Sequence, residues 1–143
     1  MKKSSRNDPK TKVGTLECKG DYAGVRLFGE AYDEFHALDP KTDELSVKKL
    51  RTISRYFERF VALGPTSLNE KMFKKQSRIK IGGTEVMIWE FKAWQFRIYG
   101  VIGEYEGQRC FLGTACDPDK KKDKADPAKL RKAAEEYLRI TNG

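Results

Sequence analysis

Apolar and polar residues alternate in three successive runs between positions 86 and 114. EVMIWEFKA sets Met87, Trp89 and Phe91 against Val86, Ile88, Glu90 and Lys92; FRIYGVIGEY and QRCFLGTA continue the pattern. A period of two predicts strands, and the tight Glu106-Gly107 link between the last two predicts an antiparallel meander. Gly82-Gly83 marks the turn that leads into it. Upstream, YAGVRLF (22–28) alternates as a further strand, and EAYDEFHAL then places Tyr32, Phe35 and Leu38 at helical spacing.

The period changes to 3.6 in two longer stretches. Asp39-Pro40 offers a cap and a first-turn proline, after which Leu50, Ile53, Phe57, Phe60 and Val61 form an apolar stripe that stops at Gly64-Pro65. Asp126-Pro127 repeats that start, and Leu130, Ala133, Ala134, Tyr137 and Leu138 follow at i, i+3, i+4, i+7 and i+8. Lys48, Lys49, Arg51, Arg55 and Arg59 fall mainly off the first stripe, as on a solvated helix back or a nucleic-acid track. SLNEKMFKKQSRIK reads as a basic connector anchored by Phe73, and ACDPDKKKDKADP as an exposed charged loop. Residues 1–20 lack sustained periodicity and are expected to form a basic arm or an added short strand before a single domain over 21–143. These elements predict an α+β domain: an antiparallel sheet of about four strands, two N-terminal helices and a C-terminal helix, with the helices on one side and a basic concave face on the other.

Composition narrows the function classes. The 143 residues carry 29 Lys and Arg against 21 Asp and Glu, a net charge of +8 that favours a polyanionic partner, nucleic acid first. The 3 cysteines form no C-x-x-C pair, which suggests neither a disulfide framework nor a zinc site and fits a reducing cytoplasm. No apolar run approaches a membrane span, and the basic opening lacks the apolar core of a signal peptide, so a cytoplasmic protein without membrane contact is expected. His36 is the only histidine, which excludes catalysis by a histidine pair within one chain. No phosphate-binding glycine loop, nucleophile elbow or histidine-rich metal signature is present; no cofactor and no metal are expected.

What remains is a set of polar residues on the predicted hairpin. Period-two geometry puts Arg97, Tyr99 and Val101 on one face and Phe96, Ile98 and Ile102 on the other, while Glu90 and Lys92 share a face of the preceding strand. If the strands pair, a carboxylate, an amine, a guanidinium and a phenol meet on one surface and could position a phosphodiester. A cross-strand ion pair of little energetic weight fits the same spacing, and both readings stay open.

The order of elements and the wording of the C-terminal half resemble the RelE and HigB toxins of bacterial type II toxin–antitoxin modules and their phage-borne relatives. The likeness covers residues 22–140 and is most informative over 86–138. In that family a helical N-terminal half precedes a sheet with a pattern like "WElR…yRi.y", then a "KK..K" loop and a final helix. Here the chain reads Trp89-Glu90-Phe91-Lys92, then Phe96-Arg97-Ile98-Tyr99, then Lys120-Lys121 with Lys124, then the helix from Pro127. RelE itself has more basic strand positions, and the loop GTACDPDKKK is longer and more acidic than is usual.

The resemblance implies a metal-independent endoribonuclease that cuts messenger RNA on the ribosome and inhibits translation. By this likeness Arg97 clamps the scissile phosphate, Lys92 supports it or transfers a proton, Tyr99 stacks or donates a proton, and Glu90 orients Arg97. Lys120, Lys121, Lys124 and Arg109 are expected to hold the RNA. The implied partners are messenger RNA, the ribosome and a cognate antitoxin, for which a helix-turn-helix type is one expectation. Two alternatives share the scaffold: a phage or host module that binds RNA, the ribosome or a protein without cutting, and a ParE-like gyrase poison.

Overall fold

The computed structural model describes residues 14–39, 41, 43–120 and 124–142. Strands β1 (Thr15–Lys19) and β2 (Gly24–Leu27) precede helices α1 (Gly29–His36) and α2 (Glu44–Leu63). A short 3₁₀ turn, Pro65–Ser67, leads to β3 (Phe73–Ile81), β4 (Thr84–Ala93), β5 (Phe96–Tyr105) and β6 (Gln108–Asp117), and α3 (Pro127–Asn142) follows. The strands form one six-stranded sheet in the order β1-β2-β6-β5-β4-β3. All neighbours are antiparallel except β2 and β6, which run parallel with Gly24 opposite Cys110.

The α+β class is as expected, but the sheet is larger and mixed. The basic connector is strand β3. Its alternation is hidden because it lies at the sheet edge, where Lys75, Arg78 and Lys80 are exposed and discourage pairing with another chain. Thr15–Lys19 add β1 by pairing with β2; residues 1–13 of the expected arm lie outside the described residues.

Turn chemistry sets the register of the meander. Gly82, Glu106 and Gly107 all have positive φ, and Glu106-Gly107, positive at both positions, matches the tight hairpin turn whose twist suits antiparallel strands. Gly100 faces Gly113 where the β5–β6 register shifts. A Cβ on Gly100 would lie 2.2 Å from the Leu112 carbonyl oxygen, so only glycine fits this close approach.

Helices cover both faces, which corrects the expectation of helices on one side and an open basic face. Ile53, Phe57, Phe60 and Val61 of α2, spaced at i, i+4, i+7 and i+8, pack with Phe35 of α1 against Phe73, Phe91, Phe96, Ile98 and Phe111. On the opposite face, Leu130, Ala133 and Ala134 of α3 pack on Val86, Ile88, Tyr99, Val101 and Ala115. The buried Thr114 hydroxyl donates to the Ala133 carbonyl at 2.9 Å and fixes the helix to the sheet. The driving force is the α3 stripe itself, whose apolar side must be buried and finds there the one sheet face left by α1 and α2.

The helix caps differ in one case. Asp126 accepts from the Ala128 N–H at 2.9 Å at the start of α3, as its position before Pro127 predicts. For α2 the cap is Asp43, which accepts from the Ser46 N–H at 2.7 Å; Asp39 instead accepts from the Lys41 N–H at 2.8 Å. Among the described residues, no helix is long and apolar enough to cross a membrane.

Candidate functional site

The β4–β5 hairpin brings the strand residues of interest into one cluster. Its register sets Glu90 opposite Tyr99 and Lys92 opposite Arg97, and β6 places Asp117 on the other side of Arg97. All point toward α3 and the segment that leads into it, because residues two apart on a strand share a face. Gln76 joins from β3, where a register shift between Lys75 and Ser77 lets its amide donate to Glu90.

This face is dry. Glu90 is 1% exposed, Arg97 7% and Tyr99 0%. Arg97 Nε lies 2.9 Å from Glu90 Oε2, close enough for an ion pair, although its N–H is not aligned for a hydrogen bond. Its Nη1 donates to the Trp94 carbonyl. The Tyr99 hydroxyl is buried and has no hydrogen-bond partner among the described residues. Burial raises its pKa, and the nearby Glu90 and Asp117 charges raise it further, against the lowering effect of Arg97. The phenol therefore stays protonated and keeps a proton to donate. A buried donor without a partner costs about 1–3 kcal/mol, so it asks for an explanation.

The segment after β6 closes over this end of the sheet. The Lys120 N–H donates to the Gln95 carbonyl at 2.7 Å, and the Lys49 ammonium donates to the Pro118 carbonyl at 3.2 Å. Lys120 and Lys49 are buried in consequence, at 8% and 9% exposure, so neither is the solvated cation that its sequence context suggests. Lys124 is exposed, and Lys121 lies outside the described residues.

Arg109 is not part of this cluster. It sits at the far end of β6, opposite Glu104, roughly 25 Å from Asp117 at the usual strand rise. Its guanidinium stacks on Tyr22 at 3.8 Å from the ring centroid, and Nε donates to the Tyr22 carbonyl at 3.0 Å. Lys92 is half-buried beside Arg97, with its backbone N–H donating to the Met72 carbonyl at 2.9 Å. Sequence reasoning did not find Gln76, Asp117 or Trp94. Asp117 was traceable, because extending the QRCFLGTA strand by two residues brings it alongside Arg97; Gln76 was hidden by the unrecognised strand β3.

The single histidine, His36, lies 2.7 Å from Glu17 at the end of α1. Among the described residues, no group of three or more His, Cys, Asp or Glu side chains could hold a metal ion. No protein-family model matches the chain, and no curated protein matches it.

Proposed function

We propose that the protein is a toxin of the RelE/HigB kind, a ribosome-dependent endoribonuclease, and that this conformation holds its site closed. The observation that carries the reading is the cluster itself. The motif residues Glu90, Lys92, Arg97 and Tyr99 pair directly across β4 and β5, and they include a buried phenol with no partner among the described residues and a guanidinium whose Nε is poorly aligned. Buried polar groups left under-satisfied are costly, and sites of function are where such costs are tolerated.

The chemistry needs no metal. The 2′-hydroxyl of RNA attacks the adjacent phosphorus while the bond from phosphorus to O5′ breaks, which leaves a 2′,3′-cyclic phosphate and a free 5′-hydroxyl. One proton leaves the 2′-oxygen to solvent water and one reaches O5′, and the donor is reprotonated from solvent, so the step is proton-neutral. In this reading Arg97 stabilises the charge that builds on the phosphate, with Glu90 and Gln76 orienting it from behind. Tyr99, held protonated, delivers the proton to O5′. Lys92 supports the phosphate. Access requires that the described stretch from Pro118 to Lys120 swing off the β4–β5 turn, which breaks the Lys120–Gln95 and Lys49–Pro118 hydrogen bonds.

Tyr99→Phe is the clean test. It removes only an unpartnered hydroxyl, so the melting temperature should stay or rise, whereas single-turnover cleavage of a ribosome-bound message should slow by about 10²-fold or more. Unchanged cleavage in Tyr99→Phe would remove Tyr99 as proton donor, and a wild-type protein that cuts no ribosome-bound message would remove the nuclease reading. A second reading, favoured by the 7% exposure of Arg97 and its ion pair with Glu90, is a scaffold that binds RNA or the ribosome without cutting. That reading predicts binding that weakens steeply with salt and no product at any enzyme concentration.

A further inference from the structure

The turn between β4 and β5 carries Trp94, whose carbonyl serves the cluster but whose ring does not. Its side chain is 58% exposed, and its backbone sits at φ 60°. Left-handed backbone favours glycine or asparagine, and a bulky residue there is an outlier. An exposed indole gains little from burial, so neither the turn nor the core accounts for it.

A cation stands beside the ring. Lys48 of α2, itself exposed, places Nζ 5.6 Å from the ring centroid. The adjoining Gln95 carbonyl holds the lysine-bearing loop through the Lys120 N–H, and the Trp94 carbonyl accepts from Arg97. Asp117 at the end of β6 and Asp119 on that loop make the field there mixed rather than purely positive. Leu45, one helical turn before Lys48, is 45% exposed and extends the apolar surface on the same side of α2.

We infer that Trp94 is a stacking shelf for one nucleobase of single-stranded RNA, with Lys48 placed for the neighbouring phosphate, at the mouth of the Arg97 cluster. The inference rests on the RNA-directed reading above and adds where the strand enters. An exposed indole face accepts any base, and a single strand offers unstacked bases that a duplex does not. A cation over the ring suits a polyanion that passes beside it, and the chain's net charge of +8 favours such a partner.

The test titrates the full chain with a mixed-sequence RNA hexamer and with an RNA hairpin duplex, following tryptophan emission and affinity in wild type, Trp94→Phe and Trp94→Gly. Glycine suits φ 60°, so Trp94→Gly should melt at the same temperature or higher while its hexamer affinity falls about 5- to 100-fold. Trp94→Phe should keep most of the affinity, and the duplex should quench little. Equal hexamer affinity in Trp94→Gly would overturn the shelf. So would Trp94-dependent quenching by ribosomal proteins stripped of RNA but not by the hexamer, which would assign the ring to a protein contact. Hexamer binding that needs Trp94 without any cleavage by wild type keeps the shelf and removes the nuclease; cleavage by wild type that Trp94→Gly matches does the reverse.

Discussion

The two faces of the sheet are built on opposite plans. Toward α1 and α2 the strands present Phe73, Phe91, Phe96 and Phe111, and Phe91 alone meets Phe57, Phe60, Phe73 and Phe111 at ring-centroid distances of 4.3 to 5.8 Å. The pairs with Phe57, Phe60 and Phe111 are edge-on, and such pairs add about 0.5–1.5 kcal/mol each beyond the area they bury. Toward α3 the strands offer Val86, Ile88, Val101 and Ala115, small or branched, around the buried Glu90, Arg97 and Tyr99. An apolar replacement for such a pair is often as stable or more so, which makes the first face the source of stability and the second a place where stability is given up.

Breaking the aromatic face should have the largest effect. Phe91→Ala leaves a cavity at the centre of the ring cluster and should cost about 3–5 kcal/mol in urea unfolding, with no specific effect on any RNA activity beyond the loss of folded protein. On the other face, Arg97→Ala strands a buried carboxylate and should cost about 3 kcal/mol. The double variant Glu90→Leu with Arg97→Met should recover most of that loss, because it removes both charges and keeps the volume. If the double variant is no more stable than Arg97→Ala alone, the ion pair is a true structural support and the contrast between the faces fails.

Titration sharpens the contrast without mutation. Cys116 on the aromatic side and Tyr99 on the α3 side both have pKa values raised, chiefly by burial, above their ordinary 9.0 and 10.0. A raised folded pKa means that the stabilisation is fully present below the ordinary value and is lost as pH climbs past it. Stability should therefore fall from about pH 9 through Cys116 and more steeply above pH 10 once Tyr99 adds, by up to about 1.4 kcal/mol per pH unit per group. Tyr99→Phe should remove its own share of the fall above pH 10 and leave that of Tyr105 and Tyr137, whose phenols burial also raises, as read by melting temperature between pH 8 and 11.

The smallest effect lies at acid pH, where α1, β6 and α3 meet. Burial alone would raise the Glu30 carboxyl, yet hydrogen bonds from Lys132, the Cys116 N–H and Lys129 outweigh it and hold the group below its ordinary 4.5. A depressed carboxyl stabilises above its unfolded value and stops doing so as pH falls through the folded one. A loss of melting temperature below about pH 4.5 that is smaller in Glu30→Gln, with Asp43 at its helix cap keeping its own share, is the expected outcome.

Residues with strong periodicity were legible in the sequence. The stripes of α2 and α3, the alternation of β4 to β6 and the glycine turns each carry their own local signal, and the faces of Glu90, Lys92, Arg97 and Tyr99 follow from counting by twos. Strand β3 was not legible, because an edge strand can alternate lysine with half-buried residues and look like a linker. Nor did the sequence indicate which sheet face α3 would cover: an amphipathic stripe says that a helix is buried, not against what. That one ambiguity turned a solvated arginine into a buried one. Trp94 escaped notice because a turn position has no periodicity to betray an exposed ring.

The parallel pairing of β2 with β6 also sets an order for assembly. Beyond β1, residues 24–27 find their hydrogen-bond partners in residues 110–113, with the whole meander between them. The entropy of closing so long a loop falls due before the contact repays it, so this ladder should form late and slowly. A nascent chain emerging from the ribosome can pack its early helices on β3 to β5, but it holds β1 and β2 with no strand of the meander to join until β6 appears. The Arg97 cluster, bordered by Asp117 at the end of that strand, is therefore assembled only when synthesis has passed it.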